Sequence, residues 1–174
     1  MNNFEQRLTG GHPNSLGNTV EVVEEVLANH SNFDELFNCY FSEDEVVRLR
    51  VSNAMKRVCA EEKQLLVPYI DRFLTEIADI DQASTQWTLC QLFLKLEDQM
   101  NDEQYEQAVS IVKRNLEFHN DWIVLNEAMR TLSTWAEKDS SLKSWMLPHL
   151  DRHSQDSRKS VSKRAIKIIA QLSR

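Results

Sequence analysis

Glycine is missing from residues 18 to 174; the chain's three, Gly10, Gly11 and Gly17, all fall before that point. Tight hairpins, bulges and phosphate-cradling loops lean on residues that tolerate positive φ, so this absence argues against a β-rich or dinucleotide-binding fold. Long apolar runs are missing too, none approaching the roughly 18 residues that span a bilayer. The start of the chain has no succession of basic, apolar and small residues like that of a secretion signal, so a cytoplasmic protein is expected. Cysteine is sparse: Cys39, Cys59 and Cys90 lie too far apart for a metal knuckle or redox motif and are expected to be buried, reduced thiols. Basic excess is also lacking, and a formal charge of −7 argues against general affinity for nucleic acid or anionic membranes. No segment matches a phosphate loop, a nucleophile elbow, a zinc-protease helix or a kinase signature. His149 and His153 share one helical face, but two ligands do not hold a metal. No catalytic residue, metal or cofactor is expected.

What remains is a chain of 174 residues, 41% hydrophobic and 27% charged, enough for one domain with a continuous core. Residues 1 to 17, with Gly10-Gly11-His12-Pro13-Asn14-Ser15, read as a flexible leader that buries little, and 18 to 174 as one helical domain. Helix starts are marked by capping residues followed three positions later by Glu or Gln: Asn18 with Glu21, Asn32 with Glu35, Ser42 with Glu45, Asn101 with Gln104. Apolar residues then recur at helical spacing, predicting helices near 19–29, 32–41, 44–60, 65–79, 82–97, 102–118, 121–137, 141–152 and 158–172.

The second helix of each pair carries a small residue, Ala54, Cys90, Ala128 or Ala165, at spacings of 36, 38 and 37. The positions four later hold Val58, Leu94, Leu132 and Ile169. Such a period is expected of stacked helical hairpins. Around the first anchor, Val47-Arg48-Leu49-Arg50-Val51-Ser52-Asn53-Ala54-Met55, preceded by Asp44, resembles the second-helix signature of HEAT repeats. Pro68 and Pro148 resemble the proline that first helices of such repeats often carry. Asp121-Trp122 and Arg158-Lys159 replace Val-Arg in the third and fourth units, so the signature is met once and degenerates after. The resemblance implies an all-α, armadillo-like, right-handed α-α superhelix of about four helix pairs, and it implies architecture without activity.

In such a solenoid the second helices line the concave face. Counting 100° per residue from the anchors, that face collects Leu49, Ser52, Asn53 and Lys56, then Thr85, Thr88, Leu89, Leu92 and Leu96. It continues with Ile123, Asn126, Glu127, Arg130 and Thr134, and with Ser160, Lys163, Arg164, Lys167 and Gln171. The expected function is a non-catalytic scaffold that binds an acidic peptide or amphipathic helix of another protein. Asn53, Lys56, Arg130, Lys163 and Lys167 would hold it, around a greasy centre of Leu89 and Leu92. A solvated face is the plainer alternative, with Lys159, Lys163 and Lys167 favouring their helix electrostatically. Residues 1–45 hold nine acids and one base, and 140–174 eight bases and two acids, which leaves head-to-tail self-association open. Trp87, Trp122, Trp135 and Trp145 keep open a resemblance to HEAT-like DNA glycosylases, which use aromatic and acidic residues in a basic groove; a HEAT-like lyase is the third class. Trp87 and Trp135 are expected in the core.

Overall fold

The computed structural model describes residues 3 to 174. Every regular element among them is helical, and no strand occurs. No helix among them is long and apolar enough to cross a membrane. The chain divides into two compact units, one ending at Met100 and the other running from Asn101 to Arg174.

The first unit contains α1 (Phe4–Arg7), α2 (Thr19–Ala28), α3 (Phe33–Asn38), α4 (Glu45–Glu61), α5 (Ile70–Arg72) and α6 (Ala83–Lys95). Helix α4 packs between α2 and α6. Its start is fixed by Asp44, whose carboxylate accepts from the Val46 amide at 2.8 Å, while Ser42 takes the Asp44 amide one turn earlier. Asn18 and Asn32 do not cap their helices. The Asn18 amide donates instead to the Arg7 carbonyl. The helix predicted at 65–79 is broken into short turns at Lys63–Leu65 and Val67–Tyr69, then α5 and a π-helical turn at Phe73–Ile77. Pro68 lacks an amide hydrogen, and its ring excludes a regular helix through the preceding turn. Over this stretch Phe37 packs edge-on against Phe73, with ring centres 5.1 Å apart, and the Arg72 guanidinium lies 4.5 Å over the Phe37 ring.

The reading of residues 1–17 as a segment that buries little does not hold from residue 3 onward; residues 1 and 2 lie outside the described residues. Phe4 and Leu8 are fully buried, Arg7 forks onto the Glu25 carboxylate at 2.8 and 2.6 Å, and the Phe4 amide donates to Glu35. The anchor is Arg50 of α4, only 2% exposed. Its guanidinium donates to the carbonyls of Leu8 at 2.7 Å, Thr9 at 3.2 Å, Ser15 at 3.2 Å and His12 at 3.4 Å. Gly17 is required beside it: φ is +51°, and a methyl group there would lie 2.9 Å from the Arg50 guanidinium carbon.

The second unit is α7 (Asp102–Phe118), α8 (Trp122–Ala136), α9 (Ser140–Ser154) and α10 (Lys159–Leu172), with α10 packed on both α8 and α9. The capping box at Asn101 and Gln104 forms as the sequence indicates, with bonds of 2.8 and 3.0 Å. Asp121 takes the amides of Ile123 and Val124, and Asp139 that of Leu142. Pro148 lies inside the continuous α9. The anchors Ala54, Cys90, Ala128 and Ala165 are all fully buried. In each unit, side-chain hydrogen bonds join residues 34 to 38 apart: Arg48 to Gln82, Tyr69 to Asp34, Arg164 to Asn126, Gln171 to Glu137.

His153 of α9 is buried and shares a hydrogen bond with the Leu116 carbonyl at 3.0 Å. Burial holds its imidazole below the ordinary histidine value, and burial does the same to His149, stacked on Trp145. The unfolded chain takes up protons as pH falls past about 6.5 while these folded imidazoles resist. Stability is therefore complete above that pH and lost below it. Urea midpoints are expected to fall between about pH 7 and pH 5, and His153→Gln to flatten part of that slope. An unchanged slope in the variant would discard the assignment.

Candidate functional site: a basic groove in the second unit

Helices α8 and α10 enclose a groove of about 590 Å³, within the size range of ligand sites. Arg130, Ser133 and Thr134 line it from α8, and Ser160, Lys163, Arg164, Lys167, Ile168 and Gln171 from α10. Three of the sequence-predicted residues, Arg130, Lys163 and Lys167, thus come together, and Arg164 joins them. Sharp amphipathy explains why: Val161, Ala165, Ile168 and Leu172 turn inward, which leaves 160, 163, 164, 167 and 171 along one flank of that stripe, with Ile168 at its border.

The site is positively charged. Arg130 has Glu127 within 3.4 Å, so its charge is partly balanced. The Glu127 oxygen in that ion pair, Oε2, is buried. Arg164 is held by Asn126, whose carbonyl accepts from Nε at 2.9 Å and whose amide donates to the Trp122 carbonyl. Lys163 and Lys167 pair with no carboxylate among the described residues. Ser133 and Thr134 both donate to the Arg130 carbonyl, and Gln171 donates to Glu137 at the rim. None of the nine lining residues is aromatic or acidic.

No protein-family model matches the chain, and no curated protein or solved structure gives a significant match.

The other expected residues belong to the first unit. Asn53 and Lys56 are half-buried on α4, and the Asn53 carbonyl accepts from Arg57 at 2.7 Å. Leu89 and Leu92 are no greasy docking centre: each is 1% exposed, and Thr85, Thr88 and Leu96 of the same predicted face are buried with them. Helix α6 has one charge, Lys95, in thirteen residues, and only the stripe of Ala83, Trp87, Gln91 and Leu94 is half-exposed. Trp135 is buried as expected, whereas Trp87 is half-exposed beside Pro13, Val46 and Leu49.

The electrostatic explanation for the lysines also reverses. Lys159 opens α10, its first turn has no acid, its last turn has no base, and Arg158 supplies no side-chain cap. A basic N-terminal turn opposes the helix dipole, and like charges four apart, as at Lys159, Lys163 and Lys167, repel. Lys159 thus opposes the dipole of the helix it opens, while Lys163 and Lys167, beyond the first turn, add only mutual repulsion.

Proposed function

We propose that the chain is a non-catalytic, cytoplasmic scaffold of the HEAT-like kind, holding an acidic segment of another protein in the groove between α8 and α10. The observation that carries this reading is the set of four cations gathered in one groove, two of which, Lys163 and Lys167, have no carboxylate partner among the described residues. Departures from local stability rules concentrate where function demands them. Hydrogen bonds spaced 34 to 38 residues apart and the evenly spaced, buried small anchors support stacked helical hairpins. An extended acidic segment fits better than an amphipathic helix, because Ile168 is the one apolar side chain in the lining. A groove without aromatic or acidic lining gives base-excision chemistry no support.

Titrating a fluorescent acidic peptide into the full chain tests this. Lys163→Ala with Lys167→Ala is expected to weaken binding about tenfold or more at low salt, with less effect at high salt. Lys159→Gln, a change outside the lining that introduces no acid beside Lys163, is expected to leave affinity within about twofold and raise Tm by about a degree through the helix dipole. Affinity untouched by the double substitution would overturn the reading.

A further inference from the structure

We infer that the groove recognises a phosphate monoester, a phosphoserine or phosphothreonine side chain within the acidic partner segment; this rests on the reading above and narrows it. Three features favour a phosphate over a run of carboxylates. The first is charge density. Lys163, Arg164 and Lys167 lie within four residues of one another on α10, about 6 Å of helix rise, and Arg130 faces them from α8. Carboxylates on an extended segment arrive one per residue, about 3.3 Å apart and on alternating sides. A phosphomonoester near neutral pH concentrates up to two negative charges and three acceptor oxygens on one atom.

The second feature is preorganisation. The Arg164 guanidinium is held through Nε by Asn126, itself fixed by the Trp122 carbonyl, and no hydrogen bond among the described residues occupies its two terminal nitrogens. A planar guanidinium with its terminal nitrogens open matches a phosphate edge in two parallel bonds. The third is the rest of the lining. Ser160 and Gln171 add polar groups, while the only apolar surface is Ile168, so affinity must come from charge and hydrogen bonding.

A nucleic acid would supply phosphates as well, but as a long polyanion. Its binding sites are extended basic stripes with stacking aromatics where single strands are held. This groove is one compact site without an aromatic, in a chain of net charge −7. A single dianionic group is the better fit.

The test uses the full chain and one peptide of about twelve residues in three forms, with phosphoserine, serine or glutamate at its centre, alongside a duplex DNA of about twenty base pairs; the phosphorylated form is expected to bind about tenfold tighter than the serine form and severalfold tighter than the glutamate form. Arg164→Gln and Lys163→Ala should each remove most of that preference, while Lys159→Ala on the same helix leaves it. Circular dichroism melts confirm folding of each variant. Equal binding of the phosphoserine and glutamate forms, with both lost in Lys163→Ala, would overturn the phosphate assignment and leave the acidic-segment reading standing. A phosphoserine preference that survives both substitutions would place the phosphate elsewhere and overturn the assignment. No binding of any peptide, or tighter binding of the duplex at matched salt, would overturn both.

Discussion

Arg50→Met is expected to destabilise the first unit by about 3 kcal/mol and to release residues 4 to 17 from it. Methionine keeps the apolar stem and removes only the guanidinium, so the loss isolates four donor bonds, to the carbonyls of Leu8, Thr9, His12 and Ser15. Hydrogen bonds to a charged group contribute about 1.5 to 3 kcal/mol each, and relief from burying the charge returns part of that sum. Arg50→Lys should recover less than half, because an ammonium donates from one point and cannot fork toward four separated carbonyls. Guanidinium unfolding gives the energies. Hydrogen exchange gives the selectivity: amides of residues 4 to 17 should lose protection before those of α4. A methionine variant as stable as the parent, with that segment still protected, would show that Phe4 and Leu8 hold the chain without the arginine.

That network also shows where sequence reading stopped. Backbone carbonyls carry no residue signature, so nothing in Gly10-Gly11-His12-Pro13 announces that a distant arginine gathers them. Phe4 and Leu8, an apolar pair four apart, are the signal of burial that this segment carries. The Ala54 region behaves likewise: the resemblance drew notice to Val47-Arg48, whereas Arg50, two residues on, ties down the N-terminal segment.

The helices themselves were legible, α7 most of all, because its capping box is written in two residues and its apolar stripe is strict. So was the groove in the second unit, since α8 and α10 are two-faced and counting from Ala128 and Ala165 preserved their phase. The same count failed on α6. Phase assigns a face only where one face is polar, and with one charge in thirteen residues the half-exposed stripe of Ala83, Trp87, Gln91 and Leu94 carries no charged signature. Leu89 and Leu92 lie on the buried sides of α6.

Tryptophan in the second unit offers the remaining large effect. Trp135 is 2% exposed, with the Tyr105 ring edge-on at 5.2 Å, so Trp135→Ala removes the largest fully buried side chain and is expected to cost about 3–5 kcal/mol. Trp122 opens α8 at 49% exposure, and its alanine variant should stay within about 0.5 kcal/mol of the parent. Thermal melts separate the two. The contrast bears on function because a base-flipping site needs an exposed aromatic beside a carboxylate free to act. Trp122 adjoins Asp121, but that carboxylate accepts the Ile123 and Val124 amides and holds the start of α8. With Asp121 committed to structure and no aromatic lining the groove, Trp122→Ala should leave peptide affinity unchanged. A variant that melts like the parent yet loses the peptide would move the docking surface to the N-terminal end of α8.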